Sequence, residues 1–333
     1  MIFLTSFYDL MGNTILTMIP LLIVALGAMI CERSGVTNIA LEGIMIMGAF
    51  VSIWIVSRIE WTWVDGVKVF WANTNGEKTL LLLIGFLIGG IVGMLFSWFH
   101  AYAAISMKAD QTISATALNL IAPALAFYIA RTFIGGRQIF FTTSFMMNRV
   151  GFLADIPVIG DIFFTRVNSG LYLGIIILII TYLFVYKTRE GLRLRACGEN
   201  PHAADSLGVN IYKVRYRAVL TSGFLAGGGG FLFSISTATS FEGTVSGYGF
   251  LAIAVLIFGN WKPFRILFAA FFFGLMTTIG AGGNSIDFIR ILGLPSDFYP
   301  MVPYIATLVV LSFSSRASRA PKAAGQIYDQ GTR

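Results

Sequence analysis

Charge and cysteine are both scarce in this chain. Only 12% of its 333 residues are charged, and it contains two cysteines and two histidines. A soluble domain is typically about 25% charged, so the low charge and the mean hydropathy of +0.80 exclude an ordinary soluble domain. Two cysteines are too few for a disulfide framework, and we expect Cys31 and Cys197 to be free thiols. The two histidines, His100 and His202, cannot form a metal cluster with these distant cysteines.

Motifs for phosphate binding and catalysis are also absent. The chain has no G-x-x-x-x-G-K-[ST] segment, and the nearest sequence, Gly-Glu-Lys-Thr at 76–79, lacks the pattern. It has no H-E-x-x-H motif and no Ser-His-Asp arrangement. We therefore expect a protein that is not an enzyme, that binds no metal or cofactor itself and that does not hydrolyse ATP alone.

Ionisable residues inside the apolar segments are nearly missing as well. A charge at the centre of a membrane helix costs roughly 2.5–3.5 kcal/mol on insertion scales, and proton-driven carriers accept this cost to build relays. Glu42 is the one clear case, one turn from Asn38. A structural role, in which Glu42 bonds with Asn38, a neighbouring helix or Arg33, is favoured over a direct place in a transport path.

Long apolar runs, in contrast, are abundant. Several approach or exceed the roughly 20 residues that a helix needs to cross a bilayer. They predict an all-α, polytopic integral membrane protein with a single transmembrane domain over 1–333 and about nine spans, within a range of eight to ten. The spans are 12–31, 37–57, 80–106, 112–134, 168–187, 216–238, 247–260, 263–283 and 300–314. The seventh is short for a crossing, so it lies in a thinned or protein-lined region or its boundary is shifted.

Basic residues set the predicted orientation. Lys and Arg collect in the cytoplasmic loops of membrane proteins, which explains the net charge of +7 without a nucleic-acid partner. With the loop 188–215 placed inside, basic residues outnumber acidic ones in the inside segments, and the outside segments are slightly acidic. This predicts an external N-terminus, a cytoplasmic tail over 315–333 and two long external loops, 58–79 and 135–167.

Small residues recur every four positions in the third and sixth spans. Residues at i and i+4 share a helix face, and small side chains there let two helices approach closely in lipid. The two stripes are Gly85, Gly89, Gly93, Ser97 and Ala101, and Ala218, Ser222, Ala226, Gly230, Ser234 and Ala238. We expect both stripes to be packing faces.

The segment GENPHAADSLGVN is short and polar, and it lies between two apolar runs. Asn200 suits the N-cap, Pro201 the first helical position and Gly208 a left-handed C′ residue, which predicts a helix of about two turns over 200–208. Its N-cap contributes on the order of 1 kcal/mol. That is too little to hold so short a helix without further packing.

Two interpretations of this helix are open. In the first, Ala203, Ala204 and Leu207 pack into a groove of an external partner, which closes around the small Ala side chains. In the second, the segment is a connecting loop whose helix lies on its own membrane domain or on lipid headgroups. The residues alone favour neither.

Four blocks, spread over nearly the whole chain, resemble one protein family. They are GLRLRACGENPHAADSLGVNIYKVRYRAVLTSGFLAG at Gly191–Gly227, ERSGVTNIALEGIMIMGAF at Glu32–Phe50, LNLIAPALAFY at Leu118–Tyr128, and GYGFLAIAVLIFGNWKPF at Gly247–Phe264. They look like the permease subunits of ATP-binding-cassette (ABC) importers for nucleosides, simple sugars and branched-chain amino acids. The ERSGVTNIALEG block is most similar to nucleoside and purine-type permeases.

The resemblance implies an importer mechanism in which the loop 188–215 contains a coupling helix that fits a groove in the ATPase subunit. The residues it assigns to coupling are Gly198, Glu199, Asn200, Pro201, Ala203, Ala204, Leu207 and Gly208. It also implies a second, related permease subunit, a cytoplasmic ABC ATPase that holds ATP and Mg, and an extracytoplasmic substrate-binding lipoprotein. The implied location is the lipid bilayer of the bacterial plasma (inner) membrane.

A small neutral solute, a nucleoside, is the leading cargo. It has an aromatic base and a polyhydroxylated ribose, so its path needs aromatic surfaces and amide or hydroxyl groups rather than charges. Candidate path residues are Asn38, Glu42, Ser114, Thr116, Asn119, Phe241 and Tyr248. Arg137 and Arg149 are candidates for docking the binding protein. A simple sugar of the ribose or galactose type is the alternative cargo, and a carrier or channel driven by an ion gradient is the rival from another class.

Overall fold

The computed structural model describes residues 2–64, 67–149, 159–282, 295–314 and 320–331, together with Gly151 and Ile156. Its helices are α1 (Ile2–Glu32), α2 (Leu41–Ile59), α3 (Asn75–Ala101), α4 (Gln111–Ile129), α5 (Ile159–Phe163), α6 (Gly170–Lys187), α7 (Arg189–Glu199), α8 (Pro201–Ser206), α9 (Ile211–Thr237), α10 (Tyr248–Phe258), α11 (Pro263–Gly282) and α12 (Val302–Ser314). Its strands are β1 (Trp61–Val64), β2 (Val67–Phe70), β3 (Ile139–Phe140), β4 (Met146–Arg149), β5 (Thr165–Asn168) and β6 (Ser240–Phe241). Turns of π-helix, Tyr102–Ser106 and Ala130–Ile134, continue α3 and α4, and a 3-10 turn, Ser296–Met301, leads into α12.

Seven of the described helices are long and apolar enough to cross a membrane. They are α1, α2, α3, α4, α6, α9 and α11. The other two predicted spans, 247–260 and 300–314, coincide with the shorter apolar helices Tyr248–Phe258 and Phe298–Val309. The predicted helical membrane fold is confirmed, although the described connections also contain short strands that were not predicted. The number of nine crossings stays a prediction.

Several helices begin at a side chain that accepts a backbone hydrogen bond. Thr74 and Glu77 form a capping box before α3, Asp110 caps α4, and Asn210 accepts from the backbone N–H of Lys213 at the start of α9. Such caps pair N–H groups that the first helical turn leaves without a partner. The local sequence therefore fixes where these helices begin.

The centre of the bundle is formed by α1 and α9, the two long apolar helices with the largest buried share. α9 packs against α1, α2 and α3. In contrast, α4 is the least buried of the long apolar helices. Since α4 carries a large exposed face, it lies at the periphery of this chain.

Glycine lets α3 and α9 approach until their backbones touch. A Cβ atom on Gly227 would lie 2.1 Å from the carbonyl oxygen of Gly89, and one on Gly93 would lie 2.3 Å from the carbonyl oxygen of Gly223. The predicted stripe of α3 is thus a packing face. In α9, however, Gly223 and Gly227 meet α3, whereas Gly230 of the predicted stripe packs on the backbone of α2. The reason is that α9 is central, so small residues are needed on more than one of its faces.

In the part of the chain that the structure describes, the connections between helices gather at two ends of the bundle. The α8 end holds the loop 33–40, the turn 107–110, helices α7 and α8, and the segment 320–331; there Arg33 Nη2 donates to the Trp261 carbonyl at 2.8 Å. The β end holds three antiparallel strand pairs, β1–β2, β3–β6 and β4–β5. The loops at the α8 end are those that the basic residues predict to be inside, and the loops at the β end are those predicted to be outside. Which end faces the cytoplasm stays a prediction.

At the β end, Glu60 joins the two long loops. Its side chain is buried, and its carboxylate accepts hydrogen bonds from the backbone N–H of Thr142 at 3.0 Å and from the Thr143 hydroxyl at 2.8 Å. Glu60 is not among the residues predicted from the sequence. A lone acid beside three tryptophans in a loop usually indicates a solvated charge, so the burial of Glu60 could not be predicted.

Candidate functional site

Helix α8 has the ends that the sequence predicts. The Asn200 side chain accepts from the backbone N–H of Ala203 at 3.0 Å, and Pro201 occupies the first helical position. Gly208 has a φ of +79°, a left-handed conformation that favours glycine. The helix has six residues, which is shorter than the predicted range 200–208.

The two sides of α8 have different surroundings. Pro201 and Ala204 are buried, and Ala204 belongs to an apolar cluster with Tyr328. Ala203 is exposed, and Leu207 is 85% exposed. The expectation that Ala204 faces a partner is therefore corrected, because this side chain packs α8 onto its own chain. The surface left for a partner carries Ala203 and Leu207.

The residues just before α8 connect it to the loop 33–40. Gly198 is buried, and a Cβ atom at this position would lie 2.4 Å from the Arg33 carbonyl oxygen. Glu199, in contrast, is exposed. Since no side chain larger than glycine fits without movement, Gly198 is a direct backbone contact between α7 and the loop.

The loop 33–40 is held by polar side chains from two helices. The backbone N–H and the hydroxyl of Thr37 both donate to Gln111 Oε1, at 2.8 and 2.9 Å. His100 Nε2 lies 2.9 Å from the Thr37 carbonyl oxygen, and His100 Nδ1 lies 3.0 Å from the Ser114 hydroxyl. Because a carbonyl oxygen can only accept, the His100 proton is on Nε2. The loop is thus tied to α3 and α4.

Two asparagines continue this network into the bundle. Asn38 Nδ2 donates to the Ser222 hydroxyl of α9 at 3.1 Å. Asn119 Oδ1 accepts from the Gly43 backbone N–H at 2.8 Å, and Asn119 Nδ2 donates to the Ile39 carbonyl at 2.9 Å. Asn119 therefore pairs backbone groups at the beginning of α2, where the first turn leaves N–H groups without partners.

Glu42 caps a neighbouring helix. Its Oε1 atom accepts from the Gly247 N–H at 2.9 Å and its Oε2 atom from the Gly249 N–H at 2.7 Å. A carboxylate is stabilised at a helix N-terminus by the unpaired N–H groups and the helix dipole. Tyr248 lies in the same turn, is 6% exposed, and packs its ring 4.1 Å from that of Phe233. This geometry is the structural role that the sequence favoured for Glu42.

A cavity of about 340 Å³ lies at the β end. Residues that line it include Phe50, Pro123, Phe127, Arg137, Phe241 and Glu242. Glu242 accepts a hydrogen bond from the Gln138 side chain at 2.9 Å. The cavity thus combines aromatic surfaces with the charged groups of Arg137 and Glu242.

The seven candidate path residues fall into three groups. Asn38, Glu42, Ser114, Asn119 and Tyr248 make contacts that hold the bundle together, Phe241 lines the cavity, and Thr116 lies on the exposed face of α4. The structure therefore brings one candidate to a cavity and leaves one on an open surface. Their roles in transport stay predictions.

The two arginines proposed for docking lie in different places. Arg137 is exposed and lines the cavity. Arg149 is exposed on β4, and its backbone carbonyl accepts from the Asn75 side chain at 3.2 Å. Both are at the β end, and docking itself stays a prediction.

The cysteines are free and buried. Burial raises the pKa of the Cys197 thiol to about 11, so this residue is a neutral thiol near pH 7. In the part of the chain that the structure describes, no group of three or more His, Cys, Asp or Glu side chains could hold a metal ion.

The fold and its two ends define a polytopic helical membrane protein with a short exposed helix at one end and a cavity at the other. The chain belongs to the family described as branched-chain amino acid transport system / permease component, whose family model matches residues 10–311.

Relatives match nearly the full length. The chain is 37% identical over 321 residues to the nucleoside ABC transporter permease protein NupC of Lactococcus lactis, covering 96% of each chain. It is 39% identical over 317 residues to the guanosine ABC transporter permease protein NupQ of Bacillus subtilis, covering 94% of each. It is also 29% identical over 325 residues to the putative glucose ABC transporter permease protein TsgC13 of Haloferax volcanii, covering 92% of this chain and 91% of the relative. No solved structure shows a significant match.

Proposed function

We propose that this chain is the permease subunit of an ABC importer that carries nucleosides across a bacterial plasma membrane. The observation that carries the proposal is the aromatic and polar cavity, found in a chain similar to nucleoside permeases over nearly its full length. Its volume lies in the range of about 300–1,000 Å³ typical of small-molecule sites. Phe127 and Phe241 offer surfaces for the base. The ribose meets the charged side chains of Arg137 and Glu242, rather than the uncharged amide and hydroxyl groups expected from the sequence.

A second permease subunit covers the exposed face of α4 in this proposal. That face carries Thr112, Thr116, Ala117, Leu120, Ala124 and Phe127. Small residues on such a stripe let two membrane helices approach closely, and hydroxyls bond across helices. The translocation path then runs between the two subunits, and Phe127 leads from this face to the cavity.

At the α8 end, a cytoplasmic ATPase binds the exposed side of α8. ATP and Mg are held by that ATPase, and this chain supplies the surface it moves. Ala203 and Leu207 enter its groove. Movement of α8 passes through the contact between Gly198 and Arg33 to the loop 33–40, and from there to α3, α4 and α9 through the hydrogen bonds of that loop. The N-terminus is external and the tail cytoplasmic.

At the opposite side of the membrane, an extracytoplasmic binding lipoprotein delivers the nucleoside to the β end. Arg137 and Arg149 are exposed there and offer basic groups to acidic ones on the binding protein. Because Arg137 also lines the cavity, capture of the binding protein and entry of the substrate share this residue.

A simple sugar is the second candidate cargo, favoured by the similarity to a putative glucose permease. Sugars also stack on aromatic rings, so the cavity residues suit both. The ion-driven carrier is disfavoured, because the intramembrane carboxylate Glu42 is engaged by the N-terminus of α10.

Replacing Phe127 by alanine is expected to raise KM for guanosine or uridine uptake by about 2- to 10-fold, because aromatic contacts contribute about 0.5–1.5 kcal/mol. Phe127 is 43% exposed, so the change leaves the core intact. The measurement is the initial rate of labelled nucleoside uptake against concentration. Phe99→Ala is the matched control, because Phe99 is 57% exposed on α3 and is not among the residues that line the cavity.

Two results would count against this assignment. An unchanged KM in the Phe127 variant would remove the cavity from the nucleoside path. Unlabelled ribose or galactose that competes as strongly as unlabelled nucleoside would favour the sugar cargo instead.

A further inference from the structure

The segment 320–331, near the end of the chain, folds back onto the α8 end. It has no regular helix or strand, yet Pro321, Ala323 and Tyr328 are buried. A polar tail that only followed the last span would be solvated. The burial shows that this segment is a packed part of the α8 end.

Two backbone hydrogen bonds attach the segment to the elements next to α8. The Ala323 N–H donates to the Gly198 carbonyl at 2.8 Å, and the Gly325 N–H donates to the Gly35 carbonyl at 3.1 Å. Gly35 has a φ of +92°, and a Cβ atom there would lie 2.8 Å from Arg215 Nη2. The segment therefore bridges α7 and the loop 33–40 at the point where these two already touch.

Tyr328 is the main side chain of the contact. It is 4% exposed, and its ring lies 5.1 Å from that of His202 in α8 and 5.7 Å from that of Tyr212 in α9. The guanidinium of Arg215 lies 5.8 Å from the ring centroid, within the range of a cation–π contact. Ala204 of α8 packs in the same cluster. Tyr328 thus fills the space between α8 and α9.

Polar contacts hold the segment on either side of this ring. Arg215 Nη1 donates to the Gln326 carbonyl at 3.1 Å. Lys108, just beyond α3, forms an ion pair with Asp329 at 2.8 Å, and Gln330 donates to Asp205 of α8 at 3.5 Å. The segment therefore contacts the turn 107–110, α7, α8 and α9 together.

We propose that residues 320–331 form a strap that positions α8 for the ATPase, with Tyr328 as its main positioning residue. This inference rests on the proposed function. A helix of six residues does not hold its own shape or direction, and the inner side of α8 packs in one cluster with Tyr328 and with Ile211 at the start of α9. Because the strap contacts both α8 and the loop 33–40, a displacement of α8 by the ATPase is transmitted to the loop.

The test uses the full transporter in proteoliposomes and compares Tyr328→Ala, Tyr328→Phe and Lys322→Ala. The readout is the number of ATP molecules hydrolysed per nucleoside transported. We expect Tyr328→Ala to raise this ratio at least fivefold while basal ATP hydrolysis stays close to that of the wild type. Tyr328→Phe keeps the aromatic ring, and we expect this variant to have the same ratio as the wild type. Lys322 is exposed in the same strap and serves as the control.

A second test, an exchange of charges between Asp329 and Lys108, examines the strap if the Tyr328→Ala variant does not fold. Asp329→Lys places two positive charges together, and we expect a ratio at least twofold above that of the wild type; adding Lys108→Asp is expected to bring it back. Both side chains are partly exposed, so neither change should unfold the chain.

The outcomes separate the strap from the proposed function. If the wild-type transporter moves no nucleoside with ATP, the proposed function fails. If it does, and neither Tyr328→Ala nor Asp329→Lys changes the ratio, or if uptake and ATP hydrolysis fall in proportion, the strap has no positioning role.

Discussion

The Leu207→Arg variant is expected to lose nucleoside uptake almost completely while the permease still folds and reaches the membrane. Leu207 is 85% exposed at the end of α8, so the change removes no packing within the chain. On the proposed docking surface, full burial of a leucine side chain by the ATPase contributes about 1.5–3 kcal/mol, which corresponds to roughly 10- to 150-fold in affinity. The arginine adds the cost of an unpaired charge at that contact.

Two measurements check this result. The first is nucleoside uptake by cells that carry the variant, and the second is the affinity of the solubilised permease for its ATPase. Leu192→Arg is the matched control, because Leu192 is 61% exposed on α7 beside α8. Normal uptake in the Leu207 variant would refute the assignment of α8 to coupling, and an equal loss in both variants would show that added charge alone is the cause.

The Gly227→Ala variant is expected to destabilise the bundle strongly. The new Cβ would lie 2.1 Å from the Gly89 carbonyl oxygen and 2.8 Å from Gly93 Cα, and both are backbone atoms. Overpacking of a core typically costs about 1–3 kcal/mol, and here the cost lies at the upper end because α3 and α9 must separate. In domains of 150–250 residues each kcal/mol lowers Tm by about 2–4 °C, so we expect a drop of about 5 °C or more.

Thermal unfolding of the permease in detergent measures this effect. Gly76→Ala is the matched control, because Gly76 lies in α3 and a Cβ there meets nothing within 4 Å. This control should leave Tm unchanged or raise it slightly, since Ala is the better helix former. Equal Tm values for the Gly227 variant and the wild type would show that the two helices are not in backbone contact.

Local features of this fold could be predicted from the sequence because local rules determine them. The apolar runs gave the long helices, since a bilayer requires about 20 apolar residues in a crossing helix. Asn200, Pro201 and Gly208 gave the ends of α8, since each suits one position by its own backbone preferences. The grouping of loops at two ends followed from the basic residues.

Contacts between distant segments could not be predicted in this way. A buried amide such as Asn119 signals a hydrogen bond within the membrane, but not that its partners are Gly43 and Ile39. Which side of α8 is buried could not be predicted either, because Ala203 and Ala204 are adjacent and have identical side chains. Tyr328 lies in a polar tail without hydrophobic periodicity, so its burial depends on partners that are far away in the sequence.

The most direct test of the proposed function is the initial uptake of labelled guanosine by cells with and without this gene, measured with an uncoupler present while ATP is held constant. An ABC importer of nucleosides predicts that uptake disappears in the cells without the gene and survives the uncoupler in the cells with it. Uptake that collapses with the ion gradient at constant ATP would contradict the account, and so would guanosine uptake that does not depend on the gene.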